Sequence, residues 1–129
     1  MADSYKGAER REFFRYRYEK PIHYTQISAS SDKVNLSKIF DVVSKNLSAS
    51  GMLFTTTQPP ELSSIIVLDL DYRTSRVCQE IEEHALIIND KLLGKVVRIE
   101  SNDDNSYDVG VAFITQFENL PEDIKDLVR

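Results

Sequence analysis

Three arginines crowd one short stretch near the N-terminus, Arg10-Arg11-Glu12-Phe13-Phe14-Arg15. Each guanidinium is a permanent cation with a planar fork of donors, suited to a phosphate or to the O6 and N7 edge of a guanine, and its flat face can stack on a purine. About thirty residues further on comes Asn46-Leu47-Ser48-Ala49-Ser50-Gly51. Here an amide and a hydroxyl offer directional hydrogen bonds, and a glycine permits close backbone approach. Read alone, the second run is also an ordinary turn, because Asn, Ser and Gly populate turns for local reasons.

Charge distribution narrows what the arginines serve. Lys6 to Lys20 holds six bases against three acids, a surplus of +3, so the rest of a chain of net charge -5 carries -8. Long nucleic acid, whose binding depends on many neutralised phosphates, is disfavoured by such a body. A compact anion is not. At 129 residues, 41% hydrophobic and 29% charged, the chain is expected to form one soluble globular domain. No apolar run is long enough to span a bilayer, and Met1 to Gly7 does not read as a secretory signal. A cytoplasmic location is therefore expected, and the single Cys78 fits a reducing compartment.

The elements that must position the two motifs read as β-structure. Residues before Glu9 lack apolar periodicity, so a flexible arm over 1–8 and a single domain over 9–129 are expected. Phe14 to Ile27 favours one strand with Pro21 marking an edge or bend, and Val34 to Lys45 a second that runs directly into Asn46. Met52 to Thr55 and Ile65 to Leu70 follow. Residues 74–86 mix helical and extended signals, and predict an inserted helix or a long loop. Leu86 to Glu100 reads as a hairpin turning at Asn89-Asp90-Lys91. In Tyr107 to Ile114, Val109, Val111 and Phe113 share the core face. Pro121, Glu122 and Asp123 open a short terminal helix with an apolar stripe of Ile124, Leu127 and Val128, expected to cover one end of a barrel.

Arg-Arg-x-x-x-Arg followed by Asn-x-Ser-x-x-Gly resembles the two-part signature of the PilZ domain family. Gly94-Lys95-Val96-Val97-Arg98, then Val109-Gly110-Val111-Ala112-Phe113, and the terminal helix are similar to later landmarks of that domain. The resemblance implies an all-β fold, a six-stranded antiparallel barrel with a short C-terminal α-helix, binding the second messenger cyclic di-GMP on its outer surface. On that basis Arg11 and Arg15 are the two spaced arginines, and Arg10 the preceding position, whose arginine accompanies two intercalated ligand molecules. Asn46, Ser48 and Gly51 complete the ligand-binding set. Arg98 joins it if Val97 and Ile99 point inward, with a solvated strand arginine as the alternative. Ser50 stands where the family often has glycine, and would be strained were φ positive there.

Catalytic and metal chemistry find no constellation. His23 and His84 lack ligand-like spacing, Asp103, Asp104 and Asp108 do not make an EF-hand loop, and Glu80, Glu82 and Glu83 have no accompanying nucleophile. The expectation is a bacterial, non-enzymatic receptor without cofactor or metal, whose Lys6 to Phe14 segment closes over the ligand and which signals through an unidentified protein. Two alternatives stand beside it: an adaptor that binds no nucleotide, and a barrel for single-stranded nucleic acid built on the aromatic interleaving of Phe13 to Tyr18.

Overall fold

The computed structural model describes residues 15–30 and 33–129. The expected N-terminal arm, with Arg10 and Arg11, lies outside these residues. Strands β1 (Tyr16–Arg17), β2 (Pro21–Ser30), β3 (Lys33–Leu36), β4 (Phe40–Leu47), β5 (Gly51–Thr56), β6 (Ile65–Asp69), β7 (Ile87–Ile88), β8 (Lys91–Ser101) and β9 (Tyr107–Phe113) form one antiparallel sheet. Six of them close on themselves in the order β4-β5-β9-β8-β6-β2, with β2 pairing back to β4. The fold is a closed six-stranded barrel, as the resemblance implied.

Two strands that read as continuous in sequence are each broken. The first divides into β1 and β2 because the chain crosses a buried serine on the neighbouring strand. Ser44 donates its hydroxyl to the Tyr18 carbonyl, accepts from the Lys20 amide at 3.2 Å, and donates its own amide to the Lys20 carbonyl at 2.9 Å. A backbone satisfied this way need not continue the ladder. The second divides into β3 and β4, where Ser37 donates its amide to the Gln26 carbonyl and accepts the Gln26 amide on its hydroxyl. Residues 72–86 resolve into a 3-10 turn, Tyr72–Thr74, and helix α1, Cys78–His84, which buries Val77 and Ile81 in the barrel core.

The core follows strand alternation. Ile22 and Tyr24 of β2, Val42 and Leu47 of β4, Met52 and Phe54 of β5, Ile66 and Leu68 of β6, and Val109 and Val111 of β9 face inward together. Tyr24 sits between Phe40 and Phe54, with ring centroids 5.1 and 5.3 Å apart. A second cluster occupies the opposite side of the same strands: Ile27, Val67 and Leu93 pack against Ile124, Leu127 and Val128 of helix α2, Glu122–Val128. Because Val67 alternates with Ile66 and Leu68, α2, which lies beside β3, covers the outer side of β2 and β6 and the start of β8 and does not plug an end of the barrel. Both faces of β6 are thus buried, which explains its unbroken apolar run.

Candidate functional site

The first motif meets the second across β1 and β4. Tyr16 lies opposite Leu47 and Arg17 opposite Asn46, so Arg15, just before β1, reaches the end of β4. Its Nη1 donates to Asn46 Oδ1 at 3.0 Å. Upstream of Asn46, the β4–β5 register slips at Lys45, a bulge that sharpens local twist where the loop to β5 begins.

That loop is stitched by its own serines. Ser48 donates its amide to the Gly51 carbonyl at 2.9 Å, its Oγ lies 3.2 Å from the same oxygen, and Ser50 donates its amide to Ser48 Oγ at 3.3 Å. Ser48 is only 1% exposed, so its hydroxyl holds the loop and does not face solvent. Ser50 is exposed, and its φ is not positive, so no glycine is required there. Its carbonyl accepts from the Phe113 amide at 2.9 Å, joining the loop to β9. Gly51 answers to a different constraint from the one expected: a Cβ there would lie 2.2 Å from the Val111 carbonyl oxygen. The glycine lets two strands approach, whatever it also permits a ligand.

A second bulge shapes the facing wall. Between β8 and β9 the register slips at Val97, with Val96 opposite Val111 and Arg98 opposite Gly110. Val96 is buried, whereas Val97 is 55% exposed and Arg98 is exposed beside it. The condition that Val97 points inward is therefore not met, yet Arg98 still faces outward, because the bulge turns two successive side chains to one surface. Arg98 lies across the bare backbone of Gly110, and its Nε is 3.4 Å from Glu100 Oε1.

These parts enclose an outer-surface cleft of about 380 Å³. Arg15, Ser50, Gly51, Leu53, Val97 and Arg98 line it, and Gly110 to Ala112 supply a floor of small residues. Asn46 and Ser48 do not line it; they act through Arg15 and through the loop. A flat floor with apolar edges and two permanent cations suits a planar, anionic ligand. Sequence reading missed Val97 and Leu53, because the bulge leaves no local mark and Leu53 reads as a core residue.

Beside the cleft, a polar cluster ties the strands together. Asp108 of β9 accepts from Thr55 Oγ1 at 3.0 Å and Asn102 Nδ2 at 3.1 Å, with Lys45 Nζ at 3.3 Å. Burial alone would raise this carboxyl, but the Asn102, Thr55 and Lys45 contacts outweigh it and hold the group below the usual carboxylate range. Asp108, which completes no EF-hand loop, is a cross-strand anchor. His23, expected to stand apart from any site, is paired on the surface with Asp41.

A closed β-barrel with a two-motif cleft on its outer surface is the architecture of a ligand-binding domain. The PilZ domain family model matches residues 9–129, nearly the whole chain, and the protein belongs to that family. No curated protein matches the chain. No helix among the described residues is long and apolar enough to cross a membrane.

Proposed function

We propose that this chain is a receptor for cyclic di-GMP, the ligand its family implies, and that it acts by binding and not by catalysis. The observation that carries the proposal is the hydrogen bond from Arg15 to Asn46, which joins the two signature motifs at the rim of one cleft. Arg15 and Arg98 supply forks for phosphate and for a guanine edge, and Gly110 leaves room for a ring to lie flat. Arg10 and Arg11 precede Arg15 closely enough in sequence to add two further forks to the same ligand. Arg10 is read as favouring an intercalated pair of ligand molecules. Ser48 serves by keeping the loop closed, and Gly51 by keeping β5 against β9.

Two observations weaken the alternatives. The adaptor reading drew on Ser50 and on the acidic body, and the first ground falls because φ at Ser50 is not positive. The nucleic-acid reading needs exposed rings, but Tyr18 is 7% exposed and Tyr16 packs against the core, so neither offers a stacking platform. A signal leaving the domain is expected to pass to a partner protein in a cytoplasmic, bacterial setting.

Calorimetric titration tests the proposal and returns stoichiometry with affinity. Wild-type protein should release heat with cyclic di-GMP, at two ligands per chain. Arg11→Ala and Arg15→Ala should each weaken binding by about 1.5–3 kcal/mol, the worth of a hydrogen bond to a charged group. Absence of heat from the wild type would refute the receptor and leave the adaptor.

A further inference from the structure

A second cleft, of about 330 Å³, runs along Tyr16 to Lys20 and is faced by Thr74 to Val77, the turn leading into α1. It shares no lining residue with the first. Three exposed cations line it: Arg17, Lys20 and Arg76. The Arg76 guanidinium lies 4.6 Å from the centroid of the Tyr16 ring, and Lys20 Nζ lies 5.1 Å from that of Tyr18. Such stacking orients a cation without neutralising it.

Among the described residues none of these three makes an ion pair, whereas Lys45, Arg73, Arg98, Lys125 and Arg129 each do. Carboxylates are not scarce, since the chain has 21 acids against 16 basic residues. Among the described residues Glu19 is the acid that lines the cleft, so three cations against one leave these a surplus of two. The hydroxyls nearby are already engaged: Thr74 Oγ1 donates to Asp71 and Ser75 Oγ to the Tyr72 carbonyl. The charged donors left for a ligand among the described residues are therefore these three side chains.

The shape of this charge distinguishes among anions. Arg17 and Lys20 stand three residues apart along one wall, about 10 Å in an extended chain, with Arg76 on the facing wall and Glu19 between them. A compact phosphate is best held by donors that meet at one point, whereas a spacing of this order along the wall suits charges spread along a chain. In addition β1 ends the strand order, with β4 on one side only, so its other backbone edge has no strand partner among the described residues. Such an edge accepts an added strand.

We propose that this cleft docks an extended acidic peptide segment of a partner protein, laid along the edge of β1 with its carboxylates on Arg17, Lys20 and Arg76. Carboxylates at alternate positions of an extended peptide fall about 7 Å apart on one side, a spacing that the spread cations can meet. Docking here requires no nucleotide. It stands apart from the reading of the first cleft, although Arg15 and Arg17 place both sites on one short segment.

Amide spectra of the full chain, titrated with a capped penta-glutamate peptide, a penta-glutamine peptide and inorganic phosphate, test the assignment. Penta-glutamate should shift the amides of Tyr16 to Lys20 and Thr74 to Val77, and penta-glutamine should leave them in place. Arg76→Glu should raise the dissociation constant about tenfold or more, Arg17→Gln should raise it less, and roughly 0.5 M salt should weaken binding in the wild type. Wild-type affinity in both variants would overturn the proposal. So would shifts confined to the face of Arg15 and Arg98, or equal shifts from inorganic phosphate, which would make the cleft a phosphate site.

Discussion

At the scale of the residue, the second motif divides its labour in a way its spelling conceals. Asn46 holds Arg15, Ser48 holds the loop, and Gly51 holds two strands together. Ser48→Ala removes the acceptor of the Ser50 amide and is expected to cost about 1 kcal/mol in urea unfolding, with ligand affinity falling because the loop loosens. Gly51→Ala should be harsher. Its Cβ would overlap a backbone oxygen that cannot rotate away, so a loss of about 3 kcal/mol is expected by thermal or urea denaturation. Candidates for the site could be named from the sequence because a guanidinium or an amide declares its chemistry in one letter. Their division into cleft-lining and loop-holding groups was not legible, since Ser48 becomes buried only when β5 and β9 pair. The freedom of Ser50 from strain was likewise invisible, because φ depends on how the loop closes.

At the scale of the element, bulges at Lys45 and Val97 build the cleft, and neither has a sequence signature. Alternation alone sent Val97 inward; the slipped register sends it out beside Arg98 and creates an apolar edge. The hairpin from β7 to β8 was readable for the opposite reason. Asn89 and Asp90 both adopt positive φ, the conformation that a two-residue turn demands and that Asn and Asp tolerate. The strand expected over Phe14 to Ile27 broke because Ser44, distant in sequence, captures the backbone at Tyr18 and Lys20. Asp108 belongs to this scale as well, since it ties β9 to β5 and to the β8–β9 turn. Its folded pKa lies below the unfolded value, so its contribution is present above about pH 4 and is lost as pH falls through the folded value. Asp108→Asn should therefore be less stable than wild type at pH 7, and the gap should narrow in unfolding curves recorded below about pH 4. A constant gap across that range would assign the loss to packing and not to charge.

At the scale of the whole molecule, β6 buries Ile66 and Leu68 inside the barrel and Ile65 and Val67 outside it, against α2. The apolar run announced burial but not that two cores share it, and the terminal helix was accordingly expected at the barrel's end. With the outer face of β6 and the start of β8 covered, the wall of β5, β9 and the Val97 and Arg98 part of β8 is left uncovered among the described residues, and the cleft of Arg15 and Arg98 lies there. An acidic chain that gathers arginines on a few surfaces is expected to favour compact anions over long nucleic acid. The central claim is that the wall between Arg15 and Arg98 receives cyclic di-GMP. Mapping amide shifts on saturation with cyclic di-GMP tests it most directly. The account predicts perturbations at Arg15, Asn46, Ser50, Leu53, Val97, Arg98 and Gly110, largely absent in Arg15→Ala. An unperturbed spectrum, or shifts confined to another face of the barrel, would contradict it.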